Sequence, residues 1–120
     1  MNELDSILIS IKKKLNITAD DKSFDTDIII SINTVFMEIM QEWHGMTKAF
    51  SISDETSTWD EILGDDQSDY EGLKDLVYLK VRLLFDPPTN SALIQQINEQ
   101  IKNLEWRMYF WKDLERIDSK

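Results

Sequence analysis

The chain has 120 residues, 13 Lys plus Arg against 23 Asp plus Glu, one His, no Cys, and a net charge of −10. Folding a chain of this size takes about 20,000 Å² of surface down to about 6,700 Å², enough burial for one domain with a core and no staples. Missing cysteine excludes disulfides, thiolate zinc sites and thiol nucleophiles, and the acidic balance excludes a general nucleic-acid grip, which needs cations against phosphate.

No apolar run approaches the length of a membrane span, so no membrane partner is expected. The opening Met-Asn-Glu-Leu-Asp lacks a basic leader region, so no secretory signal is expected either. A first helix is predicted over about 3–15, with Leu4, Ile7, Leu8, Ile11 and Leu15 on one stripe and Asn2 as its N-cap. Lys12, Lys13 and Lys14 fall in its last turns, where cations suit the helix dipole. A second helix is predicted over about 25–43 on the stripe Ile28, Ile32, Val35, Phe36, Ile39, Met40 and Trp43, with Gly45 as a left-handed stop after His44.

The next stretch breaks the period. Residues 48–53 alternate as a short strand or extended arm, and Thr58-Trp59-Asp60-Glu61 fits a capping box opening a single helical turn that ends at Gly64. Ser68-Asp69-Tyr70-Glu71 fits a second box, opening a third helix over about 69–85. There Leu73, Leu76, Val77, Lys80 and Leu84 are predicted to share a face, while Leu79, Val81, Leu83 and Phe85 make other sides apolar. Such a helix is buried on several sides or meets another chain. Lys80 and Arg82 are expected to pair with Asp75, Asp86 or a neighbour.

Asp86-Pro87-Pro88 stops that helix. Thr89 or Asn90 can cap a fourth, over about 91–115, whose stripe is Leu93, Ile97, Ile101, Leu104, Met108 and Trp111. The short link makes the last two helices an antiparallel hairpin with unequal arms. If Phe85 lies opposite Asn90, Trp106 lies opposite Asp69 and everything after it overhangs, including Tyr109, Phe110 and Trp111. These aromatics then form either an intramolecular core under the first helices or an interface anchor. The expected fold is all-α, about four helices, with N-terminal helices (1–44), an irregular acidic loop or arm with room for a short strand (45–68) and a helical hairpin and tail (69–120).

Most of the charge lies in the window 54–75, where Asp54, Glu55, Asp60, Glu61, Asp65, Asp66, Asp69, Glu71 and Asp75 face only Lys74, a local balance of −8. This is either a solvated loop with helix-opening acids or a surface that repels or channels a polyanion. Chemistry is otherwise sparse. His44 has no second imidazole nearby, and Asp65-Asp66-Gln67-Ser68-Asp69 fails as a calcium loop because Tyr70 and Leu76 stand where Gly and Glu are required. The three glycines are isolated and no nucleophile elbow occurs, so no cofactor, metal or enzymatic role is expected.

The stretch Val77-Tyr78-Leu79-Lys80-Val81-Arg82-Leu83-Leu84-Phe85-Asp86-Pro87-Pro88, continuing to Leu104-Glu105-Trp106-Arg107-Met108, resembles the small head–tail connector proteins (head-completion adaptors) of tailed bacteriophages and prophages. The region from Phe24-Asp25-Thr26-Asp27-Ile28 to Asn33 resembles the family's second helix more weakly. This resemblance implies a non-enzymatic helical subunit that assembles, roughly a dozen copies at a time, into a ring below the portal. Its partners would be the portal, a stopper or tail-completion protein, and DNA passing through without specific binding. It would work at the virion head–tail interface after assembly in the host cytoplasm. Phe85, Asp86, Pro87, Pro88, Trp106, Tyr109, Phe110 and Trp111 become expected contacts to the portal or a neighbouring subunit. Asp54, Glu55, Asp60, Glu61, Asp65, Asp66 and Asp69 become an expected channel-facing surface. The competing class is a small acidic inhibitor or DNA mimic that occupies a basic groove on its partner.

Overall fold

The computed structural model describes residues 6–42, 51–63 and 70–118, with side chains over 6–39, 51–61 and 72–107. Among these the chain is all-helical, in the order α1 (Ile7–Lys14), α2 (Asp25–Glu42), α3 (Trp59–Leu63), α4 (Tyr70–Phe85) and α5 (Ser91–Asp118).

Ser6, rather than Asn2, caps α1, because Ser6 is extended and its hydroxyl accepts from the Ile9 N–H at 3.3 Å. That hydroxyl also donates to the Glu55 carbonyl at 2.7 Å, and the Ile7 N–H, an orphan of the first turn, reaches the Ser57 carbonyl at 3.0 Å. The start of α1 is therefore fixed by a segment some fifty residues downstream, a partner that local periodicity does not contain. Its far end closes on Asn16 at φ 64°. The Ile17 N–H returns to the Lys12 carbonyl at 2.8 Å and the Asn16 N–H to the Lys13 carbonyl at 3.1 Å, a Schellman closure with asparagine in the usual glycine place.

Helix α2 buries Ile28, Ile32, Val35, Phe36 and Ile39, the predicted stripe as far as its side chains are described; Met40, Trp43, His44 and Gly45 lie outside that description. Helix α4 is central, packed against both α2 and α5. This explains its many-sided apolar character within one chain. Its buried row is Leu73, Leu76, Val77 and Val81, with Leu79, Leu83 and Phe85 half-buried against it. Two expectations are corrected there: Val81 takes the core place, and Leu84 turns outward at 51% exposure.

The arm over 51–53 has no strand; 48–50 lie outside the described residues. Ile52 is instead gripped by one side chain, its N–H donating to Asn33 Oδ1 at 2.8 Å while Asn33 Nδ2 donates to its carbonyl at 3.0 Å. The amide of Asn33 does what a neighbouring strand would do, so the buried backbone is satisfied by a helix. An isolated antiparallel bridge joins Ser6 to Thr58. Beneath it Trp59 is fully buried, donates from Nε1 to Ser10 Oγ at 2.9 Å and meets Phe36 edge-on at 6.4 Å. It opens α3, which runs one short turn as predicted, while Gly64 and Ser68 lie outside the described residues.

Asn90 is the cap of α5, its Oδ1 accepting from the Ala92 N–H at 2.8 Å and the Leu93 N–H at 3.4 Å. The hairpin forms, but its register differs from the expected one. Lys80 would stand opposite Gln95; instead its ammonium lies 3.2 Å from Glu105. Asp75 and Arg107 line one groove, and Leu84 shares another with Ile101. Helix α5 is thus slid by more than a turn, so that its first turns run past Phe85. The cause lies in the link over 86–90, where two prolines favour an extended chain at about 3.1 Å per residue and carry it beyond the end of α4 before it turns back. Trp106 consequently sits beside α4 rather than beyond it, and the overhang is divided between the two ends of α5.

Candidate assembly surfaces

The surface is built from side chains that these helices leave outside the core. Ile30 and Met37, both 59% exposed, lie seven residues apart on the outer face of α2. A second group gathers at the closed end of the hairpin. Phe24 stacks edge-on against Phe85 with ring centres 5.9 Å apart and Leu84 precedes Phe85, while Leu93, in the first turn of α5, lies past that end. Phe24, Leu84 and Leu93 are all exposed, as are Asp86 and Pro87, while Phe85 and Pro88 are half-buried. Of the expected aromatic contacts, Trp106 is 62% exposed, which removes it from an intramolecular core. Tyr109, Phe110 and Trp111 lie on the helical backbone of α5, outside the described side chains.

Charged groups divide into clamps and exposed edges. Lys12 is 1% exposed, with its ammonium 2.7 Å from Asp25 Oδ1, 2.7 Å from the Asp21 carbonyl and 3.3 Å from the Ala19 carbonyl. Asp25 Oδ1 is itself buried, and that ammonium is what meets it. The clamp closes the loop between α1 and α2. Dipole reasoning treats Lys12 like Lys13 and Lys14; the distinguishing signal is its place one turn after Leu8, on the flank of the buried stripe. Lys80 is a second clamp, 3.5 Å from Glu38 and 3.2 Å from Glu105, so it joins α2, α4 and α5 rather than pairing with Asp75 or Asp86. Asp75 meets Lys14 at 3.0 Å.

Asp54, Glu55, Asp60 and Glu61 are exposed; Asp65, Asp66 and Asp69 lie outside the described residues. Asp54 accepts from the Thr56 hydroxyl and N–H, which hold its carboxyl below the ordinary aspartate range. Asp21 is lowered in the same way by the hydroxyl and N–H of Ser23. Neither is set up for proton transfer. Among the described residues no group of three metal-ligating side chains converges, and no helix is long and apolar enough to cross a membrane.

Between the end of α1, α4 and α5 lies an open groove of about 350 Å³, lined by Lys14, Asp75, Tyr78, Leu79, Leu104 and Arg107 among others. Lys14 lies over the Tyr78 ring at 5.5 Å. The spacing in sequence gives no hint of this groove, because it depends on the hairpin register.

The described surface offers exposed apolar side chains, a mixed cationic and aromatic groove and an acidic edge. In comparison with known proteins, the family described as Phage connector protein matches residues 7–114. No curated protein and no solved structure matches.

Proposed function

Since the chain belongs to the phage connector protein family, with its structural role at the virion head–tail interface, we propose that it is the subunit of a ring seated below the portal. In this reading the ring continues the DNA channel without binding DNA specifically and presents a docking surface to a stopper or tail-completion protein. The subunits are made in the host cytoplasm and join the head there.

The observation that carries this reading beyond family membership is the apolar end of the hairpin. Fully burying a leucine or phenylalanine contributes about 1.5–3 kcal/mol, and Phe24 and Leu84, each about half exposed at that end, still have part of that burial to gain. The proline link that slides α5 past α4 carries the exposed Leu93 beyond that end. Large apolar side chains left on the surface fit a subunit whose neighbours complete its burial.

Negative-stain imaging of the protein mixed with its cognate portal tests the reading. A ring-shaped layer added to one end of the portal is expected. A portal left bare at saturating protein would refute it.

A further inference from the structure

The proposed ring requires a contact between two different patches of one chain, because head-to-tail interfaces close rings whereas self-complementary ones give dimers. This inference rests on that reading and adds which patches meet. We infer that the groove between α1, α4 and α5 receives the acidic edge of a second copy, Asp54 and Glu55 together with Asp60 and Glu61.

Three observations converge. First, the chain carries −10, so copies approach against repulsion unless opposite charges are matched locally. At physiological ionic strength screening acts within about 8 Å, so the local match decides the contact. Second, the groove supplies cations and an apolar floor in an otherwise acidic molecule. Arg107 is exposed at its rim, Lys14 lies over Tyr78, and Leu79 and Leu104 line it below. Tyrosine and arginine beside aliphatic side chains are the residues that dominate binding energy at interfaces. Asp75 partly neutralises Lys14 at 3.0 Å, so an incoming carboxylate meets Arg107 first.

Third, the Glu55 end of the acidic edge is held away from the groove. The acidic edge is fastened to the beginning of α1, through the Ser6 hydroxyl on the Glu55 carbonyl and the bridge from Ser6 to Thr58. The groove begins at Lys14, at the other end of α1, about 12 Å away along the axis. Edge and groove therefore point the contact from one copy to the next. This assigns those four acids to the seam between subunits, not to the channel wall.

The chain has no cysteine, so Ser53→Cys places a single spin label beside the acidic edge. Labelled protein is mixed at millimolar concentration and low salt with an isotope-labelled copy, and intermolecular line broadening is read residue by residue. Broadening at Tyr78, Leu79 and Asn103 is expected, falling severalfold with Arg107→Glu. It should return when Arg107→Glu is mixed with a labelled Glu61→Arg copy. Broadening confined to other surfaces, or none at all, would overturn the inference. Either result leaves the portal imaging to judge the connector reading separately.

Discussion

At the scale of single residues, the least exposed charge on the described chain is also the best coordinated. Lys12 fills the space between α1 and α2 with an ammonium that three oxygens surround, one of them a carboxylate. Removing one partner of a buried ion pair costs more than the pair itself contributes, because the other charge stays behind without compensation. Lys12→Met keeps the stem and deletes the charge. It should destabilise the fold by about 3 kcal/mol, the lower end of the range for such pairs, since Asp25 retains some solvent contact. Urea unfolding followed by circular dichroism measures this. Adding Asp25→Leu should recover part of the loss, whereas a merely solvated lysine would show neither effect.

At the scale of elements, the apolar spacing made α2 and the hairpin legible, because both bury long rows at helical intervals. Ile28, Ile32, Val35, Phe36 and Ile39 continue too far for a strand, and Pro87-Pro88 can only stop α4. What was not legible is long-range. The cap of α1 depends on Glu55 and Ser57, the arm depends on Asn33, and the register depends on how far the proline link carries the chain. The alternation over 48–53 suggests a strand because one buried residue, Ile52, is flanked by polar ones; its hydrogen bonds, however, are completed by a side chain. Asn33→Ala would leave a buried N–H and a carbonyl unpaired, at about 1–3 kcal/mol for each group fully deprived. Since water can reach part of this arm, a total loss of about 2 kcal/mol is expected in chemical denaturation. Amide exchange at Ile52 should accelerate far more than at Val77. Equal acceleration at both would mean that the arm and the core open together and that Asn33 is not its specific anchor.

For the whole molecule, the question is how a chain with a well-filled core still leaves so much apolar surface. The core is centred on α4, so α2 and α5 each bury one face against it and turn another outward. A slab of 48 × 37 × 21 Å results, thin in one direction, with little of itself left to cover Ile30, Met37, Leu84 or Leu93. Stability and assembly then draw on different residues, and this separation can be measured. Leu84→Ser removes an exposed side chain, so unfolding free energy should shift by no more than about 0.5 kcal/mol. If the hairpin end docks a neighbouring protein, the same change should weaken portal association by about 1–2 kcal/mol, roughly 5- to 30-fold, in a titration followed by sedimentation. Val81→Ser, three residues earlier and fully buried, should do the reverse: it loses stability first, and association only as the folded population falls. Association unchanged by Leu84→Ser would move the docking surface away from the hairpin end, to the Ile30 and Met37 face or to Trp106.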